Sequence, residues 1–251
     1  MNESTVESPS HAGRWWSSAG ISHQGCKRTH NEDALMERPD LNLWVVADGM
    51  GGYEAGDVAS QMVIAGFDAM PECERMSQRV DFIEQQMLQV HKKLQRLGEE
   101  RGTICGSTLM VLLGDRRHAV IMWAGDSRAY LFRKGGFRQI SQDHSYVQDL
   151  LQRGEISAAE AESHPQANVI TRAVGASGPL YVDMEIFDVE DGDTFLLCSD
   201  GLDKELSASD MENMMAGGEV GDIAQKLLDC ALERGARDNV TVQVVRYLAH
   251  G

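Results

Sequence analysis

The sequence predicts an α+β fold: two antiparallel β-sheets packed face to face with helices on both outer faces, an α/β/β/α sandwich of four layers. Three observations carry this expectation. Short apolar runs outnumber helical stretches, most of them follow one another at hairpin distance instead of alternating with helices, and two end at an Asp-Gly pair. At 251 residues and 42% hydrophobic content the chain can bury such a core within one domain.

Taken in order, residues 1–14 mix Ser, Glu, Pro and Gly without periodicity and predict a flexible N-terminal segment, with a single domain over 15–251. The run LWVVA from Leu43 reads as a buried strand, and residues 56–70 have helical composition. The clearest helix is QRVDFIEQQMLQVHKKLQRLG. There Ile83, Met87, Val90, Leu94 and Leu97 form one apolar stripe, and Gly98 is the expected stop. After Gly106 come STLMVLLG, HAVIMWAG, RAYLFR and FRQIS, separated by GDRR, GDS and KGG, which reads as an antiparallel meander. The polar stretch that follows has helical composition at 146–153 and 158–162, and an insertion of this kind often borders a site. The last third gives YVDMEIFDVE, DTFLLCSD, a helix over 221–233 and the closing strand NVTVQVVRYL. No repeat or linker divides the chain.

Composition removes several functions. No apolar stretch approaches the roughly 18 residues that span a bilayer, and the polar start has no signal-peptide centre, so a soluble cytoplasmic protein with no membrane partner is expected. The formal charge of -16 repels a phosphate backbone, which argues against nucleic acid. Five scattered cysteines without CxxC spacing predict buried reduced thiols, with neither a disulfide framework nor a zinc site.

The acidic residues carry the chemistry. Asp48, Asp126, Asp200 and Asp238 each sit at the end of an apolar run. An isolated carboxylate is costly to bury, so several together call for cations. Oxygen donors without a His or Cys cluster suit magnesium, manganese or calcium, and in DGMGG the Gly49 carbonyl could add another oxygen beside Asp48. Two such ions ~4 Å apart can share a water, lower its pKa and present hydroxide to phosphorus without a protein nucleophile. In CKRTHNEDA, Arg28 supplies a guanidinium able to hold two phosphate oxygens. Taken singly, each of these features is ordinary: Asp-Gly is a common turn pair, and an arginine beside Glu32-Asp33 is a solvated surface. Their combination is the signal.

RTHNEDA, VVADGMGG, GSTLMVLL, WAGDSRAYLFR, DHS, HPQANVITRAVG, LLCSDGL and ARDNVTVQVV follow one another over residues 20–247. In that order they resemble the motifs of the metal-dependent PPM (type 2C) Ser/Thr protein phosphatases in a compact bacterial form. The resemblance implies a helix-flanked β-sandwich with a binuclear magnesium or manganese centre. Asp48 would bridge the ions, Gly49 would lend its carbonyl and Glu32 would face one ion, with Asp200 and Asp238 on the other. Asp126 with Asp200 would hold a third, weaker ion, Asp33 would accept a hydrogen bond from metal-bound water, and Arg28 would bind phosphate. Residues 142–175 would be the mobile flap beside the substrate groove. Substrates would be phosphorylated Ser/Thr proteins, opposite a eukaryotic-type Ser/Thr kinase; some compact members act in type VI secretion with a forkhead-associated protein. The chain departs from the family where many members read DGHGG, since it has Met50, and where bacterial members place a His after DGMGG, since it has Tyr53. The general acid is thereby unassigned.

Other phosphatase chemistries fit less well. Cys73 and Arg79 have C-x5-R spacing, but CERMSQR lacks the glycines of a phosphate-cradling loop. An aspartyl-phosphate mechanism would need an Asp where Met50 stands. The remaining alternative is a metal-binding pseudophosphatase that docks phosphoproteins without turnover.

Overall fold

A computed structural model describes residues 15–51, 55–71 and 75–249. The expected flexible segment 1–14, Tyr53 and Cys73 lie outside the described residues.

The chain runs β1 (Trp16–His23), β2 (Asp33–Arg38), β3 (Leu43–Gly51), α1 (Ala55–Ala65), α2 (Met76–Arg101), β4 (Cys105–Ser107), β5 (Leu109–Gly114) and β6 (His118–Ala124). It continues through β7 (Arg128–Arg133), β8 (Gly136–Gln139), α3 (Tyr146–Gln152), α4 (Ala158–Glu162) and β9 (Asp183–Asp188). It closes with β10 (Thr194–Cys198), α5 (Asp200–Asp203), α6 (Ala208–Met215), α7 (Val220–Glu233) and β11 (Val240–Tyr247). Two antiparallel sheets result, ordered β1-β11-β10-β7-β8 and β2-β3-β5-β6-β9, with β4 added to β3.

Side-chain alternation along the strands builds the layers. In β3, Leu43, Val45 and Ala47 face α1 and α2, meeting Ala59, Val63, Ile83, Met87 and Leu94. The intervening Trp44 and Val46 face the other sheet, where Trp16, Leu131, Phe195 and Val245 complete the inter-sheet core. The second sheet turns Ile21, Leu196, Val242 and Val244 outward against Ile223, Leu227 and Met215 of α6 and α7. Three successive cores between four layers bear out the predicted fold class.

Several local expectations change. The GDS turn does not continue a meander: β6 pairs with β5 and β9, whereas β7 pairs with β10 and β8. Gly125, at φ 120°, carries the chain from one sheet to the other, which sets Asp126 between them. Helix α2 runs through Gly98 and stops at Gly102, the left-handed residue whose N–H caps Glu99 and Gly98 carbonyls. The expected helix 56–70 ends at Ala65 and is followed by turns. Cys105 and Cys198 are buried free thiols, but Cys26 is exposed. Among the described residues no helix is long and apolar enough to cross a membrane.

Candidate metal centre

The carboxylates gather where the ends of several strands meet the start of α5. Asp33 opens β2 and lies opposite Asp48 in the β2–β3 register. The strand carrying Asp48 does not end there, as its apolar run suggests, because Gly49, Met50 and Gly51 pair with β4. Asp200 opens α5 directly after β10, and Asp238 stands two residues before β11.

The glycine after each of two aspartates has a steric cause. A Cβ on Gly49 would lie 1.9 Å from the Gly56 carbonyl oxygen, and one on Gly201 would lie 1.9 Å from that of Asn239. A second chain segment crosses at each point, so no side chain fits. At Gly56, a Cβ would fall 2.6 Å from Glu32 Oε1 and 2.9 Å from the Gly49 carbonyl oxygen. Those two oxygens therefore line one cradle that only a glycine leaves open.

The electrostatics follow from crowding. Burial pushes Asp48 well above the ordinary carboxylate range, and repulsion from Asp33, Asp200, Asp126 and Asp238 adds to it. Asp126 is pushed up to about 7 by burial, then by Asp200 and Asp143. Asp33 also rises to about 7 through burial, although Ser199 and Thr241 hydroxyls each donate to its Oδ2 at 2.7 Å. Asp33 Oδ1 and Asp126 Oδ1 are buried without a hydrogen-bond partner. Glu32 is raised by burial against the pull of Arg28.

Two internal cations offset part of this charge. Arg28 grips Asp238 through both carboxylate oxygens, at 2.8 Å from Nε and 2.9 Å from Nη2. Burial opposes the charge of Asp238, but this grip holds its carboxyl below the usual range. Lys204, at the end of α5, sets Nζ 2.5 Å from Asp200 Oδ2 and 3.6 Å from Asp238 Oδ2. Among the described residues no three His, Cys, Asp or Glu side chains close on one point as a finished metal cage. The oxygen-only donor set, the orphaned Asp126 oxygen and the mutual repulsion are nonetheless what hard divalent cations satisfy. These residues fit such ions.

A supporting network escaped the sequence reading. Asn239 accepts the Glu32 N–H and donates to the carbonyls of Gln24 and His30, which fixes the loop carrying Arg28 and Glu32. Arg128 joins Asp143 to Asp203 at 2.7 and 2.8 Å, tying the start of segment 142–175 to α5. His144 accepts the Gly125 N–H on Nδ1, donates its own N–H to the Gly125 carbonyl, and so bolts that segment to the turn bearing Asp126. Thr171 N–H returns to the His144 carbonyl and closes the segment's base. Beside it a cavity of about 660 Å³ is lined by Asp126, Asp200, Lys204, Gln148, Asn168 and Arg237. Lys204 stands four residues after Asp200, a spacing that pairs two side chains only on a helical turn, and no helix was expected at that point of the sequence.

A helix-flanked sandwich of two antiparallel sheets with a carboxylate cluster at one end defines the class, and the comparisons agree. The profile described as Protein phosphatase 2C matches residues 19–238, and the chain belongs to that family of serine/threonine protein phosphatases. Among named relatives, it is 34% identical to serine/threonine phosphatase stp of Listeria welshimeri, over 88% of this chain and 92% of that one. Among solved structures, it is similar to PppA, described as a key regulatory component of T6SS in Pseudomonas aeruginosa. That match has a TM-score of 0.86 and 39% identity over 93% of this chain and 98% of that one. It is also similar to the catalytic domain of the serine/threonine protein phosphatase PstP in complex with two manganese ions, at TM-score 0.81 and 31% identity, covering 93% and 98%.

Proposed function

We propose that this chain is a single-domain, metal-dependent phosphatase that removes phosphate from phosphoserine and phosphothreonine in proteins by direct attack of water, without a phosphoenzyme. One observation carries the reading: five carboxylates, Asp33, Asp48, Asp126, Asp200 and Asp238, crowd together, so that burial and the charge of the other four push Asp48 well above the ordinary range, beside the guanidinium of Arg28. Two magnesium or manganese ions would be held by Asp48, the Gly49 carbonyl and Glu32 on one side and by Asp200 and Asp238 on the other. Asp126 with Asp200 would hold a third, weaker ion. When bound, the ions supply an activated water and neutralise phosphoryl charge.

The chain's own groups do the rest. Arg28, about half exposed on Asp238, can turn its fork to a phosphoryl dianion. Asp33 keeps Oδ1 free of protein donors, so that atom can accept a hydrogen bond from the attacking water. Met50 offers no proton to the leaving alkoxide, so a water on the metal centre or Tyr53 would have to supply it. Segment 142–175 borders the substrate groove as a flap, with Gln148 and Asn168 toward the cavity. By likeness to PppA, the proposal extends to phosphoproteins of type VI secretion, with a eukaryotic-type Ser/Thr kinase opposing the enzyme and a forkhead-associated protein as partner in the cytoplasm.

The test is hydrolysis of p-nitrophenyl phosphate and a phosphothreonine peptide with manganese, with magnesium and with excess chelator. Turnover that needs metal and nearly vanishes in Asp48→Asn supports the proposal. Intact metal binding with no turnover would replace the enzyme by a phosphoprotein-docking pseudophosphatase.

A further inference from the structure

The strongest unassigned feature is Lys204. Its ammonium lies against both carboxylates of one side of the proposed centre, 2.5 Å from Asp200 Oδ2 and 3.6 Å from Asp238 Oδ2. The placement is built into the backbone: Lys204 N–H donates to the Asp200 carbonyl at 3.0 Å, which fixes one helical turn between them. The lysine stem is one-third exposed and lines the 660 Å³ cavity, so its head has room to leave. Arg28 differs, since among its contacts only Asp238 is gripped and Asp200 is not.

We propose that Lys204 is the resident counter-ion of the metal-free centre and competes with a divalent ion for Asp200 and Asp238. The inference rests on the metal reading above. Without metal, the ammonium offsets charge that Asp48, Asp126, Asp200 and Asp238 would otherwise hold against one another. With metal, the ammonium withdraws into the cavity and its two ion pairs are lost, so metal affinity is set below what the carboxylates alone would give. A single ammonium cannot match the charge of a divalent ion, so the exchange favours metal at sufficient concentration.

The experiment is calorimetric titration of Mn²⁺ into chelator-stripped protein, wild type against Lys204→Met and Lys204→Arg, with melting curves of each in chelator. Lys204→Met keeps the stem and removes the charge. It should bind Mn²⁺ about tenfold tighter, the equivalent of ~1.4 kcal/mol, and melt lower than wild type in chelator but not with saturating Mn²⁺. Lys204→Arg should stay near wild type in both. Should Lys204→Met fail to fold, Lys204→Gln serves the same comparison. Equal Mn²⁺ affinity in wild type and the neutral variant overturns the role of Lys204 and leaves the metal centre standing. Absence of Mn²⁺ binding in both overturns the two together.

Discussion

Without metal, the carboxylate cluster should make the protein more stable as pH falls, opposite to the usual behaviour of paired acids. Asp126 has its pKa raised from an ordinary 3.8 to about 7, first by burial and then by Asp200 and Asp143. Between those two values the folded protein keeps a proton that the unfolded chain has released. The folded state binds more protons, so stability is lost as pH rises through this window and gained as it falls. One fully retained proton is worth about 1.4 kcal/mol per pH unit; since the folded group is half-protonated at pH 7, the gain from pH 7 to 5.5 is about 1.6 kcal/mol. His144 acts in the other direction, because burial lowers its pKa and its protonation costs stability at low pH. The comparison with Asp126→Asn removes that contribution, since His144 is common to both proteins. With excess chelator, wild type should gain about 1.6 kcal/mol on the variant over this range in urea unfolding, or roughly 3–6 °C in the midpoint of thermal melts for a chain of this size. At pH 8 the variant should be the more stable of the two. Parallel pH profiles would refute the claim that Asp126 is driven toward its neutral form.

Three further outcomes follow from the packing. Arg128→Met strips the partner from Asp203 and Asp143 and should cost about 3–5 kcal/mol in urea melts, with part recovered when Asp203→Asn is added. Gly201→Ala forces a Cβ to within 1.9 Å of the Asn239 carbonyl oxygen and should cost at least about 3 kcal/mol, while Gly217→Ala, with nothing within 4 Å, should change stability by less than about 0.5 kcal/mol. Asn239→Ala leaves the Glu32 N–H without its acceptor and frees two carbonyls, so about 2–3 kcal/mol is lost; Mn²⁺ titration should show weaker binding in the same variant.

Much of the fold was legible because its strands alternate cleanly: Leu43, Val45 and Ala47 go one way and Trp44 and Val46 the other. Strand β1 was not, since WSSAGISH hides Ser18 and Gly20 among its inward residues and shows no apolar period. Helix α6 was missed although Ser207 and Asp210 form a capping box before it, a local signal that the apolar count over ASDMENMM does not reinforce. The meander failed for a geometric reason. A Gly-Asp-Ser turn reads the same whether the next strand returns beside β6 or crosses to the opposite sheet, and only the pairing of β7 with β10 decides it.

The carboxylates show where sequence pattern and physical cause part. Asp-Gly at the end of an apolar run reads as one unit, yet the two residues answer to different demands. Gly49 is fixed by the carbonyls of Gly56 and Glu32, and Gly201 by that of Asn239, passing where a Cβ would stand. Asp48 and Asp200 are brought together because those same crossings pull the ends of β3 and β10 toward the segments that carry Glu32 and Asp238. The glycine thus marks a crossing, and the aspartate marks a site only when the crossing segment brings acids of its own. Glu32-Asp33 and Asp238-Asn239 meet that condition here, with Asn239 holding both segments in register through the Glu32 N–H. The charge so concentrated is then greater than the carboxylates can carry alone, which is why Lys204 and Arg28 lie against them.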